Sequence, residues 1–364
     1  MYKLTLSHTL TIYGYLVAMM VLSTTVQATP YLWQTNSYGN DIHIYNLNTF
    51  ELVRRLEVGA HPHGIAVPDD KSVFYVSLER HGQPHGELLW INPVSLEVER
   101  RLKTCKEPQN IAITPDGKWL YVPCKNGQYW VVDTDTGITV KKIATGGRPH
   151  NVKPSSDGRY MYLSPLGSPV GVTVIDVQAG HQMTGFIAFC GQVRPLDVSR
   201  DGQLLFQQVD GVFGFKVADT TQRAVLTEVQ HSTSVEWFHS AKKLINRVSR
   251  RFGFEKPFTL PYCHGLGVRP DQKEVWATCG SNLNIHNLDR GNYGETAHLN
   301  LDGTGYWLSF SPDSRYAAVA LADLDQVAIV DTHDKRIVRL LAVGNRPKRN
   351  IIIDHRIQND SVDH

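Results

Sequence analysis

The chain has 364 residues, 41% of them hydrophobic, enough to bury a sizeable core in one large repeat fold or in two ordinary domains. With 37 Lys and Arg against 35 Asp and Glu, the net charge of +2 argues against a nucleic-acid partner, which goes with a basic excess. Long low-complexity tracts are absent.

The first 28 residues read as a secretory signal. Lys3 and His8 lead into an apolar stretch from Leu10 to Leu22, and Val26 and Ala28 fit the small-residue pattern of a signal-peptidase site. The stretch is shorter than the roughly 20 residues of a membrane span. The mature chain is expected to begin near Thr29, in the periplasm or the medium; the alternative is an uncleaved anchor. No lipidation cysteine stands next to the expected cut.

From residue 58 onward similar stretches recur: "VGAHPHGIAVPDD" at 58, "TGGRPHNVKPSSDG" at 145, "LPYCHGLGVRPDQ" at 260 and "AVGNRPKRNIII" at 342. Anchored on Pro62, Pro108, Pro149, Val193, Cys263, Gly305 and Pro347, the copies are separated by 46, 41, 44, 70, 42 and 42 residues. A period of about 40 to 45 residues is that of a propeller blade of four strands. Eight residues past most anchors stands the acid of a tight turn, namely Asp70, Asp116, Asp157, Asp201, Asp271 or Asp313. There Asp bonds its own backbone and Gly accepts positive φ. Second strands such as "KWLYVP" and "RYMYLS" follow, then third strands such as "YWVVDTDTG" and "VAIVDTHDK", alternating as half-buried strands do.

Seven inner strands are counted. The last, "RNIIID" at 349, has no second strand after it, whereas residues 31–57 supply outer strands and no inner one. The two partial sets complete one blade and remove a sheet edge. The expected fold is all-β: a seven-bladed propeller over 29–355, closed by its two ends, with a helical insertion at 232–260 and a tail at 356–364.

"RPHNVKPSSDGRYMYLS…GVTVIDVQAG" and "PDGKWLYVPCKNGQYWVVDTDTG" resemble YVTN-type propeller repeats, and the resemblance covers nearly all of the mature chain. The wider group holds surface-layer propellers, the haem-binding propeller of nitrite reductases and lactonase-like propellers. It implies the fold and leaves the activity open, because one fold hosts many. Nitrite-reductase haem propellers have eight blades; the count here is seven. Lactonase-like families use His, Glu and Arg around the channel mouth, and the motif supplies no matching acid in this sequence.

The residue after each anchor begins an inner strand, so these positions are expected to ring one mouth of the central channel. They are His63, Gln109, His150, Arg194, His264, Tyr306 and Lys348. Two positions further on stand Ile65, Ile111, Val152, Leu196, Leu266, Leu308 and Asn350, mostly packing residues. A polar ring above an apolar layer is the pattern of a ligand mouth, or of a solvated rim with no ligand. Three chemistries use such a ring. His63, His150 and His264, with His61 close by, offer imidazoles to a transition metal or a haem. His63 or His150 as general base, with Arg194 at an oxyanion, suits a lactone hydrolase. The histidines with Arg148, Arg194, Arg346 and Lys348 suit a small anion, which is the preferred expectation. No CxxCH, Gly-rich phosphate loop or HExxH is present.

Five cysteines in an exported chain point to disulfides. Cys263 and Cys279 flank one hairpin and are expected to pair; Cys105–Cys124 needs a loop to fold back. Cys190 is left over, either free and buried or a soft metal ligand. The 70-residue gap holds an extra segment in which Trp237, Phe238, Ala241, Leu244, Ile245, Val248 and Phe252 follow helical spacing, with Lys and Arg between them. A basic amphipathic helix over 235–251 is expected, as a lid over the mouth, a dock for a periplasmic protein, or a helix packed on the blade edge. Membrane contact is expected only through it. The protein is expected to be a monomer.

Overall fold

The tight turns set the hairpins. Asp116 Oδ1 accepts the backbone N–H of Lys118 at 3.1 Å, and Asp157 Oδ1 accepts that of Arg159 at 3.0 Å. The same bond recurs at Asp201, Asp271 and Asp313. A hydroxyl two residues earlier, on Thr114, Ser155, Ser199 or Ser311, donates to the same carboxylate. Gly117, Gly158 and Gly202 take φ of +76°, +69° and +71° there, which a residue with a Cβ disfavours.

The computed structural model describes residues 29–232, 263–289 and 291–358. All its regular elements are strands, assembled in seven four-stranded antiparallel sheets. The inner strands of blades 1 to 6 are Pro62–Ala66, Ala112–Ile113, Arg148–Pro154, Val193–Val198, Cys263–Val268 and Gly305–Phe310. Blade 7 is built from both ends of the chain. Its inner strand, Pro347–His355, pairs with Thr29–Asn36, which is followed by Asp41–Asn46 and Glu51–Glu57. Tyr31 lies opposite Ile353 and Trp33 opposite Ile351. The expected closure therefore holds. The signal segment expected at 1–28 and the helix expected at 235–251 lie outside the described residues, as does most of the tail. Among the described residues no helix is long and apolar enough to cross a membrane.

The core lies between blades. Seven apolar clusters each span two neighbouring sheets, and the one between blades 7 and 1 joins Trp33, Ile42 and Ile44 to Phe74, Val76 and Leu89. Each such side chain, fully buried, contributes about 1.5–3 kcal/mol. A polar stitch joins the blades nearer the axis. A buried side chain on the second strand of one blade donates to a carbonyl on or just before the inner strand of the next: Thr35 Oγ1 to His63 O at 2.9 Å, Ser77 Oγ to Gln109 O at 2.8 Å, and Ser164 Oγ to Arg194 O at 3.1 Å. The carbonyls held are those of ring residues, so this stitch fixes the geometry of the mouth.

Candidate site at the channel mouth

The apolar layer under the ring lines the axis. Ile65, Ile111, Val152, Leu196, Leu266 and Leu308 surround a central cavity of about 410 Å³. Asn110, Asn151, Trp307 and Arg349, each one position after a ring residue, line the same cavity. Gly64 occupies the same strand position in blade 1, and a Cβ there would stand 2.6 Å from the backbone nitrogen of Ile111. Blade 1 can approach blade 2 only with glycine at this point.

The ring residues fall into two groups. The first converges on Glu79, a buried acid just beyond the strand Phe74–Leu78. Glu79 Oε1 accepts Gln109 Nε2 at 2.6 Å and lies 3.1 Å from His63 Nδ1. Its Oε2 lies 2.8 Å from Lys348 Nζ and 3.3 Å from His81 Nε2. Burial opposes the charge of Glu79, but His63, His81 and Lys348 outweigh it and hold the carboxyl well below its ordinary pKa. His63 is buried, and burial, then Lys348, pushes its pKa down to about 3, so its ring is neutral at pH 7. Nδ1 faces the carboxylate at 3.1 Å, and neither ring nitrogen makes a hydrogen bond. His81 is shifted the other way, chiefly by its bond to Glu79, and also meets Glu107 at 3.2 Å. The His61 ring lies tilted against that of His81, with centroids 4.3 Å apart.

The second group surrounds Arg349, whose side chain is 1% exposed. His150 and His264 meet edge to face with centroids 5.9 Å apart, and Tyr306 stacks on His264 at 4.2 Å. The guanidinium of Arg349 lies 3.7 Å over the ring of Trp307, and Nη2 donates to Asn151 Oδ1 at 3.2 Å. Nε and Nη1 are buried without partners. His264 Nδ1 donates to the carbonyl of Tyr306 at 2.9 Å, which leaves Nε2 as an acceptor. Burial, followed by neighbouring cations, pushes the pKa of both His150 and His264 well below the usual value.

Of the other expected residues, Arg194 forms a two-pronged pair with Asp210, both bonds 2.7 Å. Arg148 is exposed, and Arg346 lies over Tyr38 at 5.1 Å, so both belong to the outer rim. His63, His150 and His264 share the mouth without bringing three ligand nitrogens to one point. His63 turns to Glu79 and His264 to the Tyr306 carbonyl instead.

Glu79 and Arg349 were missed. A signal existed for the first: seventeen residues past an anchor stand Glu79, Lys125 and Asp210, each of which pairs with a charged or polar side chain of this mouth. For Arg349 the signal was a large cation at a position that holds Gly64 and Gly265 in other blades.

Both expected disulfides are present. Cys263 lies opposite Cys279, with Cα atoms 4.0 Å apart, and Cys105–Cys124 has them 5.7 Å apart. The fold-back for Cys105–Cys124 is made by a bridge pairing Pro108 with Cys124. Cys190 is free and exposed, which corrects the buried placement: it sits in a left-handed turn at φ 49° between the buried Phe189 and Gly191.

Fold and mouth together define a closed repeat propeller with a polar, partly cationic channel entrance. Residues 15–164 match the family model described as YNCE-like beta-propeller, and the seven sheets of the described residues form a β-propeller. Among solved structures it is similar to the periplasmic gluconolactonase PpgL of Pseudomonas aeruginosa, with TM-score 0.68 and 16% identity, covering 89% of this chain and 99% of that one. It is also similar to the dihydro-heme d1 dehydrogenase NirN in complex with DHE, with TM-score 0.61 and 15% identity, covering 86% and 63%. Hydrazine synthase of Kuenenia stuttgartiensis matches with TM-score 0.65 and 19% identity, over 80% and 89%. At such identities the likeness is one of fold. Among curated proteins, Antigen Lp49 of Leptospira interrogans is 29% identical over 83 residues. That match spans 19% of this chain and only 18% of the length of the curated relative.

Proposed function

We propose that this chain is an exported binding propeller that takes a small anionic ligand, a carboxylate or a phosphate, at the histidine-lined mouth. One observation carries the reading: Arg349 is 1% exposed, and two of its guanidinium nitrogens have no partner. Burial lowers its pKa only to about 10, so it keeps its charge at neutral pH. A buried charge is costly unless an anion answers it. Glu79 and Asp210 already answer Lys348 and Arg194. Among the described residues no carboxylate lies within ion-pair distance of Arg349. This donor set suits an anion better than a metal or a haem, because cations surround the edge-to-face pair of His150 and His264. Two disulfides suit an oxidising compartment. The test is a thermal-shift panel of acetate, gluconate, citrate and phosphate. At least one anion is expected to raise Tm saturably, and Arg349→Met is expected to abolish the rise. A flat panel, or a rise that survives the substitution, defeats the reading.

A second reading, hydrolysis of a lactone, is favoured by the contact between His63 and Glu79 at 3.1 Å. In that reading Glu79 orients the ring, and His63 Nε2 takes a proton from water as its oxygen adds to the lactone carbonyl, then returns it to the ring oxygen as the ring C–O bond breaks. Arg349 would steady the developing oxyanion, and the ring-opened hydroxy acid is itself a carboxylate. Ring opening of gluconolactone, followed by acid release and lost in His63→Gln, is the outcome that would favour it over simple binding.

A further inference from the structure

A second cluster lies away from the channel mouth, between the outer strands of blades 4 and 5. His231 follows the strand Ala224–Gln230, His286 lies on Asn282–Asn287, and Glu295 opens Glu295–Asn300. One ligand atom from each falls within 4.8 Å of the other two. His231 Nδ1 and His286 Nε2 are 2.8 Å apart, and Glu295 Oε2 is 3.9 Å from His286 Nε2. His231 is 7% exposed and His286 fully buried.

The protonation pattern follows from the partners. His286 Nδ1 lies 2.8 Å from the carbonyl of Tyr293 and must donate to it. Its Nε2 is therefore a lone pair aimed at His231. A backbone carbonyl holding the far nitrogen of an imidazole is the usual outer support of a metal-ligating histidine. Glu295 is oriented too: the backbone N–H of Ser232 donates to Oε2 at 2.7 Å, and Asn284 Nδ2 donates to Oε1 at 3.2 Å. Phe213 and Phe215 pack edge-on against the two rings, which limits their rotation. A single proton on His231 Nδ1 is then all that joins two lone-pair donors, while His231 Nε2 is buried with no partner.

We propose that His231, His286 and Glu295 form a structural site for a divalent transition metal, with zinc as the best fit. Two imidazoles and one carboxylate are a normal zinc set, and a fourth position is left for water or another ligand. On binding, the ring proton of His231 moves from Nδ1 to Nε2, so both imidazoles stay neutral and no electron is transferred. Zn–N bonds of about 2.0–2.1 Å in tetrahedral geometry need the two nitrogens about 3.3 Å apart, a separation of the rings by roughly half an ångström. The site would tie the outer strand of blade 4 to blade 5, independently of any ligand at the channel mouth.

The experiment is metal analysis of the purified full chain, then chelation and titration with cobalt, read by its visible d–d absorption, and with zinc in competition. One metal per chain is expected. His286→Gln, His231→Gln and Glu295→Gln should each weaken binding by roughly 100-fold or more, beyond the usual loss from an outer-shell change. His264→Gln, at the mouth, should leave it unchanged. Circular dichroism of each variant separates loss of the site from loss of fold, and Glu295→Gln is the variant least able to disturb packing. Absence of cobalt and zinc binding by the folded wild-type chain overturns the proposal. So does binding that persists in folded Glu295→Gln and His231→Gln, or that follows His264 instead.

Discussion

Arg349 decides which nitrogen of His150 carries its proton. Guanidinium can only donate, so the atom of Asn151 that meets Arg349 Nη2 at 3.2 Å is its oxygen. The amide nitrogen of Asn151 then faces His150 Nδ1 at 2.7 Å and donates to it. His150 therefore holds its own proton on Nε2. His264 is fixed in the opposite sense by the Tyr306 carbonyl, so this edge-to-face pair offers one imidazole donor and one acceptor.

Arg349→Met tests the cost of that buried charge. Replacing an unanswered buried ion with an apolar side chain of similar length is expected to leave stability unchanged or to raise it by about 1–4 kcal/mol. Urea unfolding without added anion measures this. A large loss of stability would mean that the guanidinium is already well compensated.

Glu79→Gln is expected to be costly, by about 3–5 kcal/mol, because it strands Lys348, whose Nζ lies 2.8 Å from the carboxylate. Adding Lys348→Met should recover much of the loss. A double mutant as unstable as the single one would show that Glu79 acts through His63 or Gln109 instead, and a double-mutant cycle in denaturant reads the difference.

Acid should destabilise the fold through His63. Its folded pKa, about 3, lies below the unfolded value of about 6.5, so the unfolded chain binds the proton first. The contribution is complete above about pH 6.5 and is lost progressively as pH falls toward 3. His150 and His264, shifted in the same direction, add to the slope. Tm measured from pH 7 to pH 4 should fall, and His63→Gln should make the fall shallower. An unchanged slope in that variant counts against a buried neutral His63.

Reduction of Cys105–Cys124, which spans 19 residues, should cost about 3 kcal/mol. The double variant Cys105→Ser, Cys124→Ser compared with the parent in guanidinium gives the value. A loss near zero would mean that the neighbouring bridge between Pro108 and Cys124 holds the loop alone.

Trp33→Ala probes the closure. Trp33 is fully buried on the strand that joins the two ends of the chain, with its ring 4.3 Å from that of Phe74 in blade 1. A loss of about 3–5 kcal/mol is expected. A loss below about 1 kcal/mol would mean that blade 7 can open without unfolding the ring.

Local chemistry sufficed for the blades. The period of the anchors, the Asp turns and the missing strands at either end are patterns within some 45 residues, where turn geometry and strand alternation act directly. The same period placed His63, His150 and His264 at the heads of inner strands, and the pairing of Cys263 with Cys279 needed only one hairpin register. The charges at the mouth were beyond that reach. Lys348 meets Glu79 across 269 residues of chain, and Arg349 meets Asn151 across 198. Which side chains face one another across an axis depends on how many blades close the circle and how closely they pack. A sequence fixes the blade, whereas burial of an acid and a guanidinium, and the proton positions that follow, arise only once the ring has closed.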